Sequence, residues 1–215
     1  MTSSPPRNTA ELKGQGPRTT LVNPRLPGHN HRMVDVGAEM SNPRSGERFV
    51  WRATHDSTGG EYCEFDLHLD SGAKVALAHR HPFQEERFTV VSGALDLTNG
   101  RERSTVTAGQ AVAIPPNTPH RWGNAGTEAS HVRVRLTPAL EIEDYFAAFC
   151  AVATAGRAVR SGLPRNPFQF AVMAHAHRAE FTLPSEALQR VFGPVVGVLA
   201  PIGSRLGYRS DGLGR

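Results

Sequence analysis

Four side chains in this sequence have the types and spacing of a metal site: His79, His81, Glu86 and His120. Imidazoles supply neutral nitrogen donors and a carboxylate adds one negative charge, a set that suits a borderline divalent ion. On a six-coordinate ion these four ligands leave two positions for water, dioxygen or a bidentate substrate. Open positions belong to catalytic metal sites, unlike the closed shells of structural ones. The residual charge, about +1 with one carboxylate bound, favours an anionic oxygen ligand such as an enolate or a carboxylate.

Strands are the elements that can bring these residues together. Residues two apart on a strand point to the same face. Val75, Leu77, His79 and His81 therefore share a face, as do Glu86, Phe88 and Val90, and His120 with Trp122. If Leu77 faces inward, so do both histidines, and three imidazoles and one carboxylate converge inside a barrel. Alternation runs from Arg48 to Leu136, through Phe49, Trp51 and Ala53, then Cys63, Phe65, Leu67 and Leu69, then Leu95 and Leu97, Val112 and Ile114, and Val132, Val134 and Leu136. Turn formers punctuate it at Gly59-Gly60, Gly72, Gly93, Asn99-Gly100, Gly109, Pro115-Pro116-Asn117 and Gly126. Short strands at this spacing predict a sandwich or barrel. After Pro138 helical spacing replaces it over 139–156, 167–179 and 185–206; Gly193-Pro194 and Pro201 should kink or divide the last segment.

The chain of 215 residues, 39% hydrophobic and 20% charged, suits one globular domain with appendages. Residues 1–30 are rich in Pro, Thr, Arg and Gly and poor in apolar side chains, so a disordered arm is expected there. The barrel is expected over 31–137, its site within 72–124, and a helical extension over 138–215. Cys63 and Cys150 read as two reduced thiols. No signal-peptide pattern opens the chain and no run of about 20 apolar residues is present, so a cytoplasmic protein without a membrane span is expected. The net charge of +4 is almost all arginine, and after Gly156 eight arginines stand against Glu180, Glu186 and Asp211. They are scattered, which argues against a nucleic-acid groove. The Val191–Ile202 stretch reads as a helix packed on the barrel or at a dimer interface rather than one lying on a membrane.

The motifs carry a resemblance. Gly72, six residues, His79-Arg80-His81, four residues, Glu86, six residues and Gly93 resemble the first cupin motif. Gly109, five residues, Pro115-Pro116-Asn117, two residues, His120, three residues and Asn124 resemble the second. Two departures are visible: one extra residue before His79, and Asn117 where the family usually has glycine. Asn tolerates positive φ, so the turn can survive. Glu85 adjoins Glu86, but spacing to Gly93 and strand parity select Glu86.

The resemblance implies a mainly β, double-stranded β-helix or jelly-roll barrel with C-terminal α-helices, in the manner of bacterial single-domain cupins. It implies one divalent transition metal (Fe, Mn, Ni, Zn or Cu) on His79, His81, Glu86 and His120, a small-molecule substrate and a homodimer. The activity expected is that of a metal-dependent dioxygenase, with isomerase or lyase chemistry as alternatives. Glu86 serves as ligand and as candidate catalytic base, and Phe88 and Trp122 as candidate substrate-pocket walls. The rival function is a non-catalytic module that binds or senses a sugar or carboxylate. Fold alone does not choose between them. His68 and His131 fall on the outward parity, and His175 and His177 on different faces of a helix; neither pair is assigned to the site.

Overall fold

A computed structural model describes residues 34–75 and 77–215. The arm expected over residues 1–30, with His29 and His31, lies outside the described residues. Among the described residues nine strands are seen: β1 (Glu39–Asn42), β2 (Glu47–Ala53), β3 (Cys63–Leu69), β4 (Glu85–Ser92), β5 (Ala94–Asn99), β6 (Glu102–Thr107), β7 (Ala111–Ile114), β8 (His120–Asn124) and β9 (Ser130–Thr137). Four helices accompany them there: α1 (His55–Thr58), α2 (Ile142–Thr154), α3 (Pro167–Ala176) and α4 (Glu186–Arg205).

The strands form two antiparallel sheets, one in the order β1-β2-β3-β9-β4-β7 and the other in the order β6-β5-β8. The period-two pattern explains the core. Phe49 and Trp51, Phe65, Leu67 and Leu69, Phe88 and Val90, Leu95 and Leu97, and Val132, Val134 and Leu136 are all buried. Register brings them opposite one another, as in Phe65 with Val134 and Phe88 with the same Val134. The helix α2 covers the β2–β3 part of this face. Phe146 lies 4.8 Å from Phe49 and 5.2 Å from Phe65, ring to ring. Such aromatic packing contributes about 0.5–1.5 kcal/mol per pair beyond area burial.

Beneath α2 the alternation carries one surprise. Glu47 shares the inward parity of Phe49 and Trp51 and is buried, its carboxylate accepting a hydrogen bond from Ser45 Oγ. Burial raises its pKa to about 7, against the smaller lowering effect of that bond. On the opposite face of β3, Asp66 is also fully covered. It accepts from Arg52 Nε at 2.6 Å and Arg133 Nε at 3.0 Å, and His131 Nε2 stands 3.1 Å away. Burial opposes its ionisation, but these partners outweigh burial and lower its pKa to about 2.

Two expectations need correction. The strand foreseen over Val75–His81 is not a continuous ladder among the described residues; Lys74 bridges Gly123 and His79 bridges His120 as isolated pairs. And α4 runs unbroken through Pro194 and Pro201. Each proline removes the donor to the carbonyl four residues back. Those carbonyls belong to Arg190 and Gly197, both exposed, where water can replace the missing donor.

Candidate metal centre

β4 delivers Glu86 on its inward parity, flanked by Ile114 of β7 and Leu136 of β9. β8 begins with His120, whose backbone exchanges both hydrogen bonds with His79 at 2.8 and 3.0 Å. The turn before it is built by Asn117, which adopts φ 61°, the left-handed conformation expected where the family has glycine. Asn117 N–H also donates to the His81 carbonyl at 2.7 Å, tying the two histidine segments together. Gly93 closes the first motif at φ 76°. A Cβ there would lie 2.5 Å from Ser130 Oγ and 2.9 Å from its Cα, so β9 leaves no space for a side chain. Asn124 closes the second motif by donating to the carbonyls of Leu69, Asp70 and Glu128 and accepting from Ser130 Oγ.

These supports bring all four expected ligands together. One donor atom from each of His79, His81, Glu86 and His120 lies within 4.8 Å of the others, and none of the four residues is more than 4% exposed. The imidazoles are oriented from behind. His79 Nδ1 donates to the Leu77 carbonyl at 3.0 Å, His120 Nδ1 to the Thr118 carbonyl at 2.9 Å, and His81 Nδ1 to the Glu180 carbonyl. A carbonyl only accepts, so Nδ1 carries the proton in each ring and a neutral ring turns its Nε2 lone pair inward.

Glu86 Oε2 stands 2.8 Å from His120 Nε2 and 3.5 Å from His81 Nε2. None of these three buried atoms has an oriented hydrogen-bond partner. Buried lone pairs facing a buried carboxylate require positive charge at their centre. A proton on His120 offsets only the His120–Glu86 pair and leaves His81 unsatisfied. A divalent cation satisfies the whole set, so the residues fit the metal that their types suggest.

The electrostatics favour a neutral His79 and an ionised Glu86. Burial, then the His81 and His120 charges, pushes His79 down to about 3, so it is neutral and ligand-ready. Burial pushes Glu86 up, but His81 and the close His120 contact outweigh it and hold the carboxyl well below its ordinary range. Burial likewise pushes His120 down, and the Glu86 contact and charge reverse it, leaving a net rise.

Phe88 and Trp122, the expected pocket walls, are buried, with ring centroids 6.4 Å apart in edge-to-face geometry. A cavity of about 520 Å³ is lined by Trp122 together with Lys74, Asp96, Arg103 and Arg121, and by none of the four clustered residues nor by Phe88. What sequence spacing missed is the covering segment after α3. Phe181 stacks on His79 at 4.7 Å and 25°, Tyr145 stacks on Phe181 at 5.5 Å, and Thr182 bridges Arg80 through both backbone bonds. Arg80, between the two histidines, is thus engaged by this segment through its backbone. No local motif announces contacts between residues 99 positions apart, as His81 and Glu180 are. Beside the ligands, Gln84 donates to the Pro138 and Ala139 carbonyls and pins the loop ahead of Glu86.

Residues 65–136 match the family described as Cupin domain. The chain carries a cupin domain. The matched span holds all four residues of the buried cluster, and the two-sheet architecture is that of a cupin barrel. No curated protein matches the sequence. Among solved structures, KdgF from Halomonas sp. is similar at 18% identity and TM-score 0.44, over 52% of this chain and 96% of that one. A sugar phosphate isomerase from Silicibacter pomeroyi DSS-3 is 24% identical with TM-score 0.39, over 49% and 69%. A predicted oxalate decarboxylase from Thermotoga maritima is 15% identical with TM-score 0.42, over 47% and 90%.

Proposed function

We propose that this cupin domain is a metal-dependent small-molecule enzyme of dioxygenase type, holding one divalent transition ion on His79, His81, Glu86 and His120. The observation that carries the reading is the set of converging buried donors, each imidazole fixed by a backbone carbonyl behind it, with His81 Nε2, His120 Nε2 and Glu86 Oε2 lacking a hydrogen-bond partner in front. When bound, such an ion supplies Lewis acidity and open coordination positions for an anionic substrate oxygen and a second small ligand.

The remaining work falls to the chain. Leu77, Thr118 and Glu180 carbonyls hold the rings in one tautomer, which fixes the direction of three lone pairs. Glu86, kept ionised by its neighbours, provides the charge that retains the ion and can accept a substrate proton at Oε2. Phe88 and Trp122, buried on the same faces as the ligands, are the candidate apolar walls of the substrate pocket. Phe181 and Tyr145 exclude water from the His79 side.

The test is metal content of the purified protein by plasma mass spectrometry beside a His79→Ala/His81→Ala variant, followed by dioxygen-uptake screening with enolisable and phenolic compounds. About one equivalent of metal in the wild type, lost in the variant, is expected. Metal without turnover or dioxygen uptake would move the reading to a binding or sensing module. Failure to retain or take up iron, manganese, nickel, zinc or copper would overturn it.

A further inference from the structure

The small sheet turns Leu95, Leu97, Val106 and Trp122 into the core. Alternation therefore puts Asp96 and Thr98 of β5, Arg103 and Thr105 of β6, and Arg121 and Gly123 of β8 on its outward face. Register sets these residues in two rows. Thr98 pairs with Arg103 on one side and Arg121 on the other, and Asp96 pairs with Thr105 and Gly123. The rows lie about 7 Å apart along the strands, and each arginine is one strand spacing, about 4.8 Å, from Thr98. Lys74 completes the second row by bridging to Gly123. A Cβ on Gly123 would lie 3.0 Å from Lys74 Cβ, so glycine keeps the room in which Lys74 crosses β8. Both rows line the cavity of about 520 Å³, a volume within the range of small-molecule pockets.

The cations of this cavity are left open. On the outward face of the large sheet Arg48 pairs with Glu39, Arg52 and Arg133 with Asp66, and Arg135 with Glu64. Among the described residues no ion pair reaches Lys74, Arg103 or Arg121. The carboxylate in the lining is that of Asp96, whose Oδ1 accepts from Thr105 Oγ1 at 2.7 Å instead. Three cations and one carboxylate face one cavity.

We propose that this cavity is a second small-molecule site, which takes a phosphorylated polyol such as a sugar monophosphate. The phosphate lies over Thr98, its oxygens accepting from the hydroxyl and from the two guanidinium forks that flank it. The hydroxyl groups reach the second row, where Asp96 Oδ2 accepts from them and Lys74 donates to them, a separation that a monosaccharide spans. A purely anionic ligand gains nothing from Asp96, and a neutral sugar has no use for three cations. A nucleic-acid strand is less suited, because it needs cations repeated along a track rather than gathered about one hydroxyl. The site is separate from the metal centre, and the inference is independent of the metal reading: β8 carries His120 and Trp122 on one face and Arg121 on the other.

The test is titration calorimetry of the full chain with glucose 6-phosphate, beside glucose, inorganic phosphate and a decanucleotide RNA. Glucose 6-phosphate should bind one per chain with Kd on the order of 0.1–1 mM, and glucose should not bind in that range. Binding should persist after chelator treatment, which separates this site from the metal centre. Arg103→Gln/Arg121→Gln, at two exposed positions, should keep the circular dichroism and weaken binding at least about tenfold. Asp96→Asn should weaken glucose 6-phosphate several-fold yet tighten inorganic phosphate, because it removes a hydroxyl acceptor and a like charge together. If the double variant does not fold, Arg103→Gln alone, on the edge strand β6, should weaken binding several-fold. No binding at about 10 mM, binding that survives the arginine substitutions or disappears with chelator, an Asp96→Asn variant that weakens both phosphates alike, or tighter binding of the RNA would each overturn the proposal.

Discussion

Glu47→Gln should make the protein progressively more stable than the wild type as pH rises from about 4.5 to about 7, and by a constant margin outside that window. The carboxyl is buried beneath α2, and burial raises its pKa from 4.5 to about 7. Below the lower value it is protonated in both folded and unfolded chains. Between the two values only the unfolded chain ionises, which favours unfolding. Above the upper value both ionise and the effect levels off. A shift of about 2.5 units at about 1.4 kcal/mol each is worth about 3 kcal/mol over the window. Glutamine has nearly the same shape, can still accept from Ser45, and does not titrate. The assay is urea unfolding of both proteins from pH 4 to pH 8 in the presence of a chelator, followed by tryptophan fluorescence. Other titrating groups, including Glu143, which burial also raises to about 7, cancel in the difference between the two curves. A difference that stays flat within 1 kcal/mol across the window would mean that Glu47 keeps an ordinary pKa and that water reaches it, and the reasoning would fail.

Three further outcomes are expected. Asp66→Asn should remove about 1–2 kcal/mol at pH 7, discounted because its arginine partners are half exposed; the loss should vanish as pH falls from 3.8 through about 2, because the wild-type carboxylate is then protonated too, as acid titration of both proteins would show. Gly93→Ala combines positive φ with a clash against Ser130 and should cost at least about 2 kcal/mol in urea melts, while Asn117→Gly should stay within about 0.5 kcal/mol. Phe181→Ala should leave the barrel folded but release bound metal at least several-fold faster to a chelator, read by a colorimetric competition, because it uncovers His79 without touching a donor atom.

The core of the barrel was legible because its strands alternate cleanly, and the four ligands because they sit at fixed offsets from turn glycines. β6 was not, since only Val106 among its residues is buried and an edge strand of Glu, Arg, Ser and Thr has no apolar period to read. β1 was obscured for the same reason: of Glu39, Met40, Ser41 and Asn42, only Asn42 is buried. Glu47 shows the opposite failure, a charged residue on an inward parity that composition would place outside. Pro194 and Pro201 do not divide α4, whose orphaned carbonyls at Arg190 and Gly197 face solvent, and that exposure is not written in the local sequence. Phe181 and the Glu180 carbonyl were beyond reach, because their roles exist only once the C-terminal segment has folded back on the barrel.

That fold-back makes the barrel and its extension two halves of one binding equilibrium. The Glu180 carbonyl aims His81, Phe181 lies on His79, and Thr182 is stitched to Arg80. Any cation that prefers the aimed imidazoles must, by reciprocity, hold the segment in place with the same free energy that the segment lends to the cation. Loading the centre should therefore protect the 177–182 backbone from proteases and hydrogen exchange, and cutting the chain after Pro138 should weaken the centre although every donor atom remains. The extension behaves as a distant part of the coordination chemistry, and the ion as a fastener for the extension.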